Sequence, residues 1–340
     1  MKVLVTGSNG FICGYLVEDL LAQGHTVVGL DNFSKYGRVS KSYDKHPRFM
    51  LVEGNAKDVG LLKGLLADCD HFVAAAAMIG GISYFHTYAY DLMAENERIV
   101  AAAYDAAIWA RKATGKLQKV TLLSSSMVYE NATVFPTPEG EQLRCAPPFS
   151  TYGFQKLACE YFAKGAREQY QLPTTIVRPF NCVGIGESRA TGEHEVMSGN
   201  VKLALSHVVP DIVQKVLKGQ DPLHILGKGD QVRCYTYGGD VARGIRVCME
   251  HPAALNEDFN ISTPVATTVL ELSQMIWKKI NGSKPFRYVS DPGFAHDVQH
   301  RVPNTDKAKR MLGFEASTPV EKVLDEVIPW IKDAVAAGTI

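Results

Sequence analysis

The fold is decided near the start of the chain, where residues 3–14 read VLVTGSNGFICG. The apolar run predicts a buried strand, the glycines predict a tight turn, and the residues after Gly10 can begin a helix. Gly7 permits the turn, and Gly10 lets a pyrophosphate approach backbone N–H groups at the positive end of the helix dipole. This stretch therefore predicts the first strand–turn–helix unit of a dinucleotide-binding sheet.

An acidic residue supports the same prediction. Asp31 ends the second predicted strand, about 20 residues after the glycine turn, where a carboxylate accepts hydrogen bonds from a ribose diol. Because a carboxylate also repels a 2′-phosphate, Asp31 favours NAD over NADP as the cofactor. One position departs from the glycine pattern, since Cys13 stands where the third glycine is usual. We expect the helix to pack slightly farther from the strand there.

The rest of the first half alternates short β-rich runs with helical ones, such as residues 15–23 and 95–113. This alternation predicts an α/β fold, a Rossmann-type doubly wound parallel sheet with a smaller C-terminal substrate-binding lobe. Ligands of such sheets lie beyond the carboxyl ends of the strands. The predicted strands are Lys2–Val5, Thr26–Leu30, Phe49–Val52, His71–Ala75, Lys119–Leu123 and Thr174–Arg178.

The pattern loosens after Asn181, which places the boundary between the two parts there. Residues 1–180 are expected to form the NAD-binding domain, with a partial return at about 235–262. Residues 181–234 and 263–340 are expected to form the lobe that binds the substrate. Residues 184–200 show no clear periodicity, and we expect a loop over the site. Helices are predicted again at 209–217 and 269–279.

Composition excludes several classes of protein. The 340 residues carry a formal net charge of zero, which argues against coating nucleic acid or an anionic membrane. No segment has the apolar length of a membrane span, and residues 1–5 read as a strand rather than a secretory signal. The seven cysteines lie far apart without metal-type spacing, so we expect reduced thiols, no metal site and a cytoplasmic location.

A second informative pattern follows a predicted strand that ends in Ser124-Ser125-Ser126. Tyr152 and Lys156 are four residues apart, so they share one face of a helix. The Lys156 ammonium favours the phenolate of Tyr152, which can take a proton from a hydroxyl while hydride leaves the carbon. Ser125 would hold the same oxygen by a hydrogen bond. The three residues predict oxidation of an alcohol or reduction of a carbonyl.

With these motifs the chain resembles the extended short-chain dehydrogenase/reductase family, and within it the NAD-dependent nucleotide-sugar epimerases and dehydratases. The resemblance runs nearly from end to end. It rests on TGSNGFI at 6–12, DN at 31–32, GNAKD at 54–58, AAA at 75–77, Asn96, Tyr152 with Lys156, RPFN at 178–181, GKGDQVR at 227–233, RVPN at 301–304 and AKRMLG at 308–313.

The resemblance implies a set of ligands for each half of the site. The cofactor ligands would be Gly7, Gly10, Phe11, Ile12, Asp31, Asn32, Asn55, Ala56, Ala75, Ala76, Asn96, Tyr152, Lys156 and Phe180. The substrate, a UDP or GDP sugar, would be bound by Gly80, Gly81, Ser125, Ser126, Asn181, His207, Arg233 and Arg301. The arginines suit a diphosphate because each offers a bidentate fork. The resemblance also implies a homodimer through the helices at 95–113 and 152–167.

Met127 separates the reactions within this family. Family dehydratases carry Asp-Glu after the catalytic residue, decarboxylases carry Glu at the position of Met127, and 3,5-epimerases carry Cys there. A methionine has no titratable proton and can replace none of these groups. A 4-epimerase needs only Ser125, Tyr152, Lys156 and NAD, so epimerisation at C4 through a transient 4-keto intermediate is the favoured reaction.

His207 keeps an alternative open. The segments AAAMIGGI at 75–82 and SHVVP at 206–210 resemble those of GDP-fucose synthases, in which the matching histidine is an acid. The chain could then be a 3,5-type epimerase or a keto-sugar reductase that uses His207. A histidine that only packs or binds the sugar is the plainer interpretation. A non-catalytic NAD-binding regulatory protein is a third reading, against which Ser125, Tyr152 and Lys156 argue.

Overall fold

The structure, a computed structural model, describes residues 1–81, 84, 87–188, 196–203, 207–293, 298–338 and 340. Its centre is a seven-stranded parallel sheet with the strand order β13-β6-β5-β4-β1-β2-β3. The strands are β1 (Lys2–Thr6), β2 (Thr26–Asp31), β3 (Phe49–Glu53), β4 (His71–Ala74), β5 (Lys119–Leu123), β6 (Thr174–Pro179) and β13 (Asp258–Ile261). The predicted Rossmann-type fold is confirmed. The strand order reverses beside β1, where such sheets bind ligands.

Helices cover both faces of this sheet. On one face α1 (Phe11–Ala22) packs against α6 (Gly238–Glu250), with α8 (Asp306–Leu312) in the same apolar cluster. On the other face lie α2 (Val59–Leu66), α3 (Ala89–Thr114) and α4 (Thr151–Tyr170). Apart from the edge strand β3, the strands are buried on both sides, which explains why they read as continuous apolar runs rather than alternating ones.

The C-terminal part of the chain builds a second apolar cluster. It contains α5 (Val208–Leu217), α7 (Val269–Asn281) and α9 (Val320–Ala336), with small sheets beside them. The short strands are β7 (Cys182–Val183), β10 (Leu223–Leu226), β11 (Val232–Arg233), β12 (Thr236–Tyr237), β14 (Thr267–Thr268), β15 (Tyr288–Asp291) and β16 (His300–Arg301). Between the clusters, α6 and β13 return to the main sheet, where β13 pairs with β6. The domain boundaries themselves stay a prediction.

One expectation from the sequence is wrong in part. Residues 184–200 do not form a continuous loop, because β8 (Val196–Ser198) and β9 (Val201–Leu203) pair as an antiparallel hairpin. Gly199 makes the turn with a positive φ of 55°, and Gln220 Nε2 donates to Ser198 O at 2.7 Å. Strands of three residues are too short to show alternation. The part of the expected loop at 189–195 lies outside the described residues, as do Ile82 and Ser206 of the quoted segments.

All seven cysteines are free. The Cys13 side chain lies between α1 and β1 with its Sγ 3.9 Å from Thr6 O, and burial raises the pKa of its thiol to about 12. The wider packing expected at Cys13 stays a prediction. In the described ranges, no helix combines the length and apolarity that a bilayer span requires. No metal-binding cluster of His, Cys, Asp and Glu occurs in that same part of the chain.

Candidate active site

A cavity of about 1060 Å³ opens at the carboxyl ends of the central strands. It is lined by most of the residues that the sequence nominates: Gly7, Gly10, Phe11, Ile12, Asp31, Asn32, Asn55, Ala56, Ala75, Ala76, Gly81, Ser125, Ser126, Tyr152, Lys156, Asn181, His207, Arg233 and Arg301. The cavity is large enough for two sizeable ligands side by side. The predicted cofactor and substrate residues therefore meet in one space.

The glycine turn builds one end of this cavity. Gly7 has a φ of +74°, and a Cβ at this position would lie 3.1 Å from Ala76 Cα. Gly10 is the N-cap of α1, so no capping side chain occupies the N–H groups of the first helical turn. That turn also has no acidic residue. The N–H groups of the glycine turn itself, from Gly7 to Gly10, are bonded within the protein. The donors offered to the cavity are therefore the N–H groups in the first turn of α1, at the positive end of the helix. These features fit the pyrophosphate of a dinucleotide.

Asp31 is held at the same end by two backbone donors. Its Oδ2 accepts from Asn9 N at 2.9 Å, and its Oδ1 accepts from Phe33 N at 2.8 Å. The carboxylate is therefore fixed in one orientation on the cavity wall. Each carboxylate oxygen can accept further bonds, so the group can also bind a ribose diol. The residues present fit NAD.

Three nominated residues lie behind the wall rather than on it. Asn96 is buried in α3, where its Oδ1 accepts from Met78 N at 2.7 Å and its Nδ2 donates to Met78 O at 2.9 Å. Phe180 is buried and stacks on Tyr129 at 6.1 Å between ring centroids. Gly80 leaves room for Tyr84, whose Cγ would lie 2.5 Å from a Cβ. These residues shape the wall, and their direct ligand contacts stay predictions.

The proposed catalytic residues come from two adjoining elements. Tyr152 and Lys156 are buried on the first turns of α4, and Lys156 Nζ lies 6.0 Å from the centre of the Tyr152 ring. Lys156 Nζ also donates to Leu123 O at 3.1 Å, the last residue of β5. Ser125 begins the 3₁₀ turn that follows β5, and its Oγ accepts from Met127 N at 3.2 Å. A strand end and a helix start thus bring the three residues to one cavity wall.

A buried charged network ties these two elements together. Ser124 Oγ donates to Glu160 Oε1 at 2.6 Å, and Arg178 Nε donates to the same oxygen at 2.7 Å. Arg178 Nη1 reaches Asp258 Oδ2 at 2.7 Å. Sequence reasoning missed Glu160. The available signal was its position four residues after Lys156, which places an acidic side chain on the buried face of α4.

Glycine and a helix cap bring α4 close to the serine turn. A Cβ on Gly153 would lie 2.8 Å from Met127 O and 3.0 Å from Glu130 Oε2, so only glycine fits. Ser150 caps α4 through Gly153 N at 3.0 Å, while its own hydroxyl donates to Glu130 Oε2 at 2.8 Å. The start of α4 is therefore fixed on the turn that carries Ser125.

The predicted substrate residues bring further polar atoms to the cavity lining. Arg233 Nη1 donates to Val232 O at 2.9 Å and to Gln299 O at 3.2 Å, which holds the guanidinium on β11. Arg301 Nη2 lies 2.8 Å from Met127 Sδ. Asn181 has a φ of 34°, and in the described part of the chain its buried Nδ2 has no hydrogen-bond partner. Two cations and an unpaired amide donor suit an anionic, hydroxylated ligand.

His207 faces a residue that the sequence did not nominate. His207 Nδ1 lies 2.8 Å from Glu187 Oε1, and both side chains line the cavity. Glu187 is buried, whereas the His207 side chain is 45% exposed. The two residues are 20 positions apart across an aperiodic segment, so no sequence signal pointed to the pair.

The fold and this geometry define a class of protein. A doubly wound sheet with a dinucleotide turn, a fixed acidic residue and a serine–tyrosine–lysine set is an extended short-chain dehydrogenase/reductase. The sequence profile of the NAD dependent epimerase/dehydratase family matches residues 3–262, and the chain belongs to this family. Its cofactor is NAD, as predicted.

Known relatives lie within the same group of enzymes. The chain is 27% identical to YtcB of Bacillus subtilis, an uncharacterized UDP-glucose epimerase, over 97% of this chain and 98% of that protein. It is 26% identical to a UDP-N-acetyl-alpha-D-glucosaminuronate decarboxylase of Bacillus cytotoxicus, over 98% of both. The UDP-glucose 4-epimerase of Thermotoga maritima, solved with UDP-glucose, superimposes with a TM-score of 0.82 at 27% identity, over 98% of this chain and 100% of that one.

Proposed function

We propose that the protein is a nucleotide-sugar epimerase that inverts C4 of a nucleotide-diphosphate sugar. The observation that carries the proposal is the juxtaposition of Ser125, Tyr152 and Lys156 with an inert neighbour. Met127 is buried beside Ser125 on the same cavity wall, where it offers a thioether and no exchangeable proton. A site that has no second proton-handling group beside Ser125 is suited to reversible oxidation of the substrate.

Each residue has a distinct task in this reaction. The Tyr152 oxygen takes the proton of the C4 hydroxyl and later returns it, while the Ser125 hydroxyl bonds the same substrate oxygen. Lys156, held by Leu123 O, places a positive charge next to the tyrosine. The glycine turn and Asp31 would hold NAD, which would supply the hydride acceptor and donor for C4.

The substrate class is supported by two cations in the cavity lining. Arg233 and Arg301 line the cavity, and Asn181 adds a buried amide donor. The decarboxylase of Bacillus cytotoxicus and the epimerase of Thermotoga maritima are both named for UDP sugars. Decarboxylases occur among the relatives, yet the position after Ser126 carries methionine here, so we propose that decarboxylation and water elimination are not the reactions of this chain.

The test is incubation of the purified protein with UDP-glucose, UDP-glucuronate, their N-acetyl relatives and GDP sugars, followed by ¹H NMR. We expect one of these sugars to equilibrate with its C4 epimer without added reductant. Loss of carbon dioxide or water from every sugar that reacts, or reaction only with added NADH or NADPH, would contradict the proposal.

A second reaction is favoured by one observation, the contact of His207 with Glu187. A carboxylate-bound histidine in the cavity is compatible with 3,5-type epimerisation or with reduction of a keto-sugar. Entry of solvent deuterium at C3 or C5 would identify the first, and stoichiometric NAD(P)H consumption the second. Turnover that disappears in Tyr152→Phe would dispose of a purely regulatory role.

We also propose that the protein is a homodimer. The helices α3 and α4 pack against each other and leave the large side chains of Trp109, Tyr161 and Phe162 exposed. Exposed apolar patches are typical of protein–protein interfaces. Light scattering during gel filtration should give twice the chain mass of 37.3 kDa. A monomer at micromolar concentration would contradict this assembly.

A further inference from the structure

The cavity wall holds a second pair of side chains that can exchange a proton. His207 Nδ1 and Glu187 Oε1 are 2.8 Å apart, and both residues line the cavity that Ser125 and Tyr152 also line. Nδ1 is occupied by the carboxylate. Because the side chain is 45% exposed and Nδ1 faces the carboxylate, Nε2 is the ring nitrogen that is left to meet a ligand.

The burial of Glu187 shows that the contact is more than a surface pairing. The residue is 3% exposed, and in the described part of the chain its Oε2 has no hydrogen-bond partner. A buried carboxylate is costly unless a donor or a cation compensates it. Burial, with a contribution from Glu187, holds the pKa of the nearby Cys182 thiol well above its usual range, so that thiol stays neutral. Lys215 pairs with Asp211 at 3.1 Å, and within the described ranges the ion-pair partner of Glu187 is His207.

The backbone on both sides of the pair is held in unusual ways. His207 has a φ of 121° and a ψ of 154°, a region that glycine favours, and the strain costs about 1–3 kcal/mol. The loop that carries Glu187 is anchored on α1, because Ile185 N donates to Tyr15 Oη at 2.7 Å. A Cβ on Gly184 would lie 2.4 Å from the same oxygen. A strained histidine and an anchored carboxylate thus meet at a fixed place on the cavity wall.

We propose that Glu187 is a positioning residue that holds the Nδ1 edge of His207, so that His207 Nε2 exchanges a proton with the nucleotide sugar. With Nδ1–H donated to the carboxylate, the neutral ring keeps a lone pair on Nε2. Nε2 takes the proton of a sugar hydroxyl other than the one at C4, so that this O–H bond breaks and an N–H bond forms. The proton then returns to the same oxygen, so no co-reactant is needed. The carboxylate stabilises the imidazolium formed in between. The inference rests on the proposed function for its substrate only.

The tautomer can be measured without any substrate. In protein labelled with [¹⁵N]histidine, two-bond ¹H–¹⁵N spectra report which ring nitrogen carries the proton, and the His207 signals are those missing in His207→Gly. We expect a neutral ring protonated at Nδ1 in the wild type and loss of this preference in Glu187→Ala. A wild-type ring protonated only at Nε2, or the same tautomer in Glu187→Ala, would overturn the positioning role.

The second experiment is chemical rescue. His207→Gly suits the local φ and leaves a space beside Glu187 for free imidazole. We expect kcat/KM to fall at least tenfold, added imidazole to restore much of it, and no restoration in the double variant His207→Gly/Glu187→Gln. His25 and Glu250 form a pair of the same kind, 2.6 Å apart, away from the cavity lining, so His25→Gly should show no imidazole-dependent activity.

The outcomes separate this inference from the proposed function. Full activity of His207→Gly, or equal rescue with and without the Glu187 carboxylate, overturns the inference while C4 epimerisation by the wild type still stands. A wild type that changes no nucleotide sugar defeats the proposed function, and the tautomer measurement then decides the pair by itself.

Discussion

The two groups of side chains on the cavity wall that can handle protons are built in different ways. Ser125, Tyr152 and Lys156 lie at a strand end and a helix start, where regular backbone geometry fixes their spacing. Glu187 and His207 lie on a loop and at a helix cap, and they meet through one long-range contact. The comparison teaches that regular elements can place a site without strain, whereas a site on connecting segments needs anchors and accepts unfavourable backbone angles.

The largest effect is expected where Ser125, Tyr152 and Lys156, here called the regular set, meet the substrate. Tyr152→Phe removes the proton acceptor, so kcat for C4 epimerisation should fall by about 10²–10⁴-fold without a change in thermal stability. Steady-state kinetics by NMR or a coupled assay measures the loss. Tyr161→Phe on the same helix is the control, because that ring is 55% exposed and should leave kcat unchanged. Retention of most activity in Tyr152→Phe would mean that the regular set is not the catalytic one.

The next effect concerns the network that joins β6 to α4. Arg178→Met leaves the buried Glu160 carboxylate without its cation, which should destabilise the fold by about 3–5 kcal/mol in urea unfolding. Adding Glu160→Gln in a double variant should recover part of this loss, because the uncompensated charge is then gone. A loss below about 1 kcal/mol in the single variant would show that the network does not hold the catalytic elements together.

The strain at His207 gives a smaller, more specific effect. Glycine relieves a φ of 121° and alanine does not, so His207→Gly should be more stable than His207→Ala by about 1–3 kcal/mol. Both variants lose the imidazole, which cancels its contribution in the comparison. His251 is the matched control, since it also caps a helix but has an ordinary φ of −72°. There glycine should exceed alanine only by the ordinary N-cap preference, about 1 kcal/mol. An equal advantage of glycine at both sites would remove the argument for strain at His207.

The sequence predicted the regular half of the site because its signals are local. The glycine turn, Asp31 and the four-residue spacing of Tyr152 and Lys156 each depend on neighbours within one or two elements. The sequence did not predict Glu160 and Glu187, because acidic residues are mostly exposed in proteins and only the folded chain shows which groups surround them. The β8–β9 hairpin was not predicted for a related reason, since strands of three residues are too short to show an alternation of apolar and polar residues.

The smallest effect is expected when the residues that cap α4 and α7 are replaced. Ser150 caps α4 and Thr268 caps α7, and replacing either by alanine should cost about 1 kcal/mol of stability. Ser150 also binds Glu130 and fixes the helix start that carries Tyr152, whereas Thr268 belongs to a capping box closed by Glu271. Chemical denaturation should therefore find similar losses, while only Ser150→Ala lowers kcat, by a few-fold. Equal kcat in the two variants would show that the position of Tyr152 tolerates a loosened helix start, and the regular half of the site would then depend on its buried network alone.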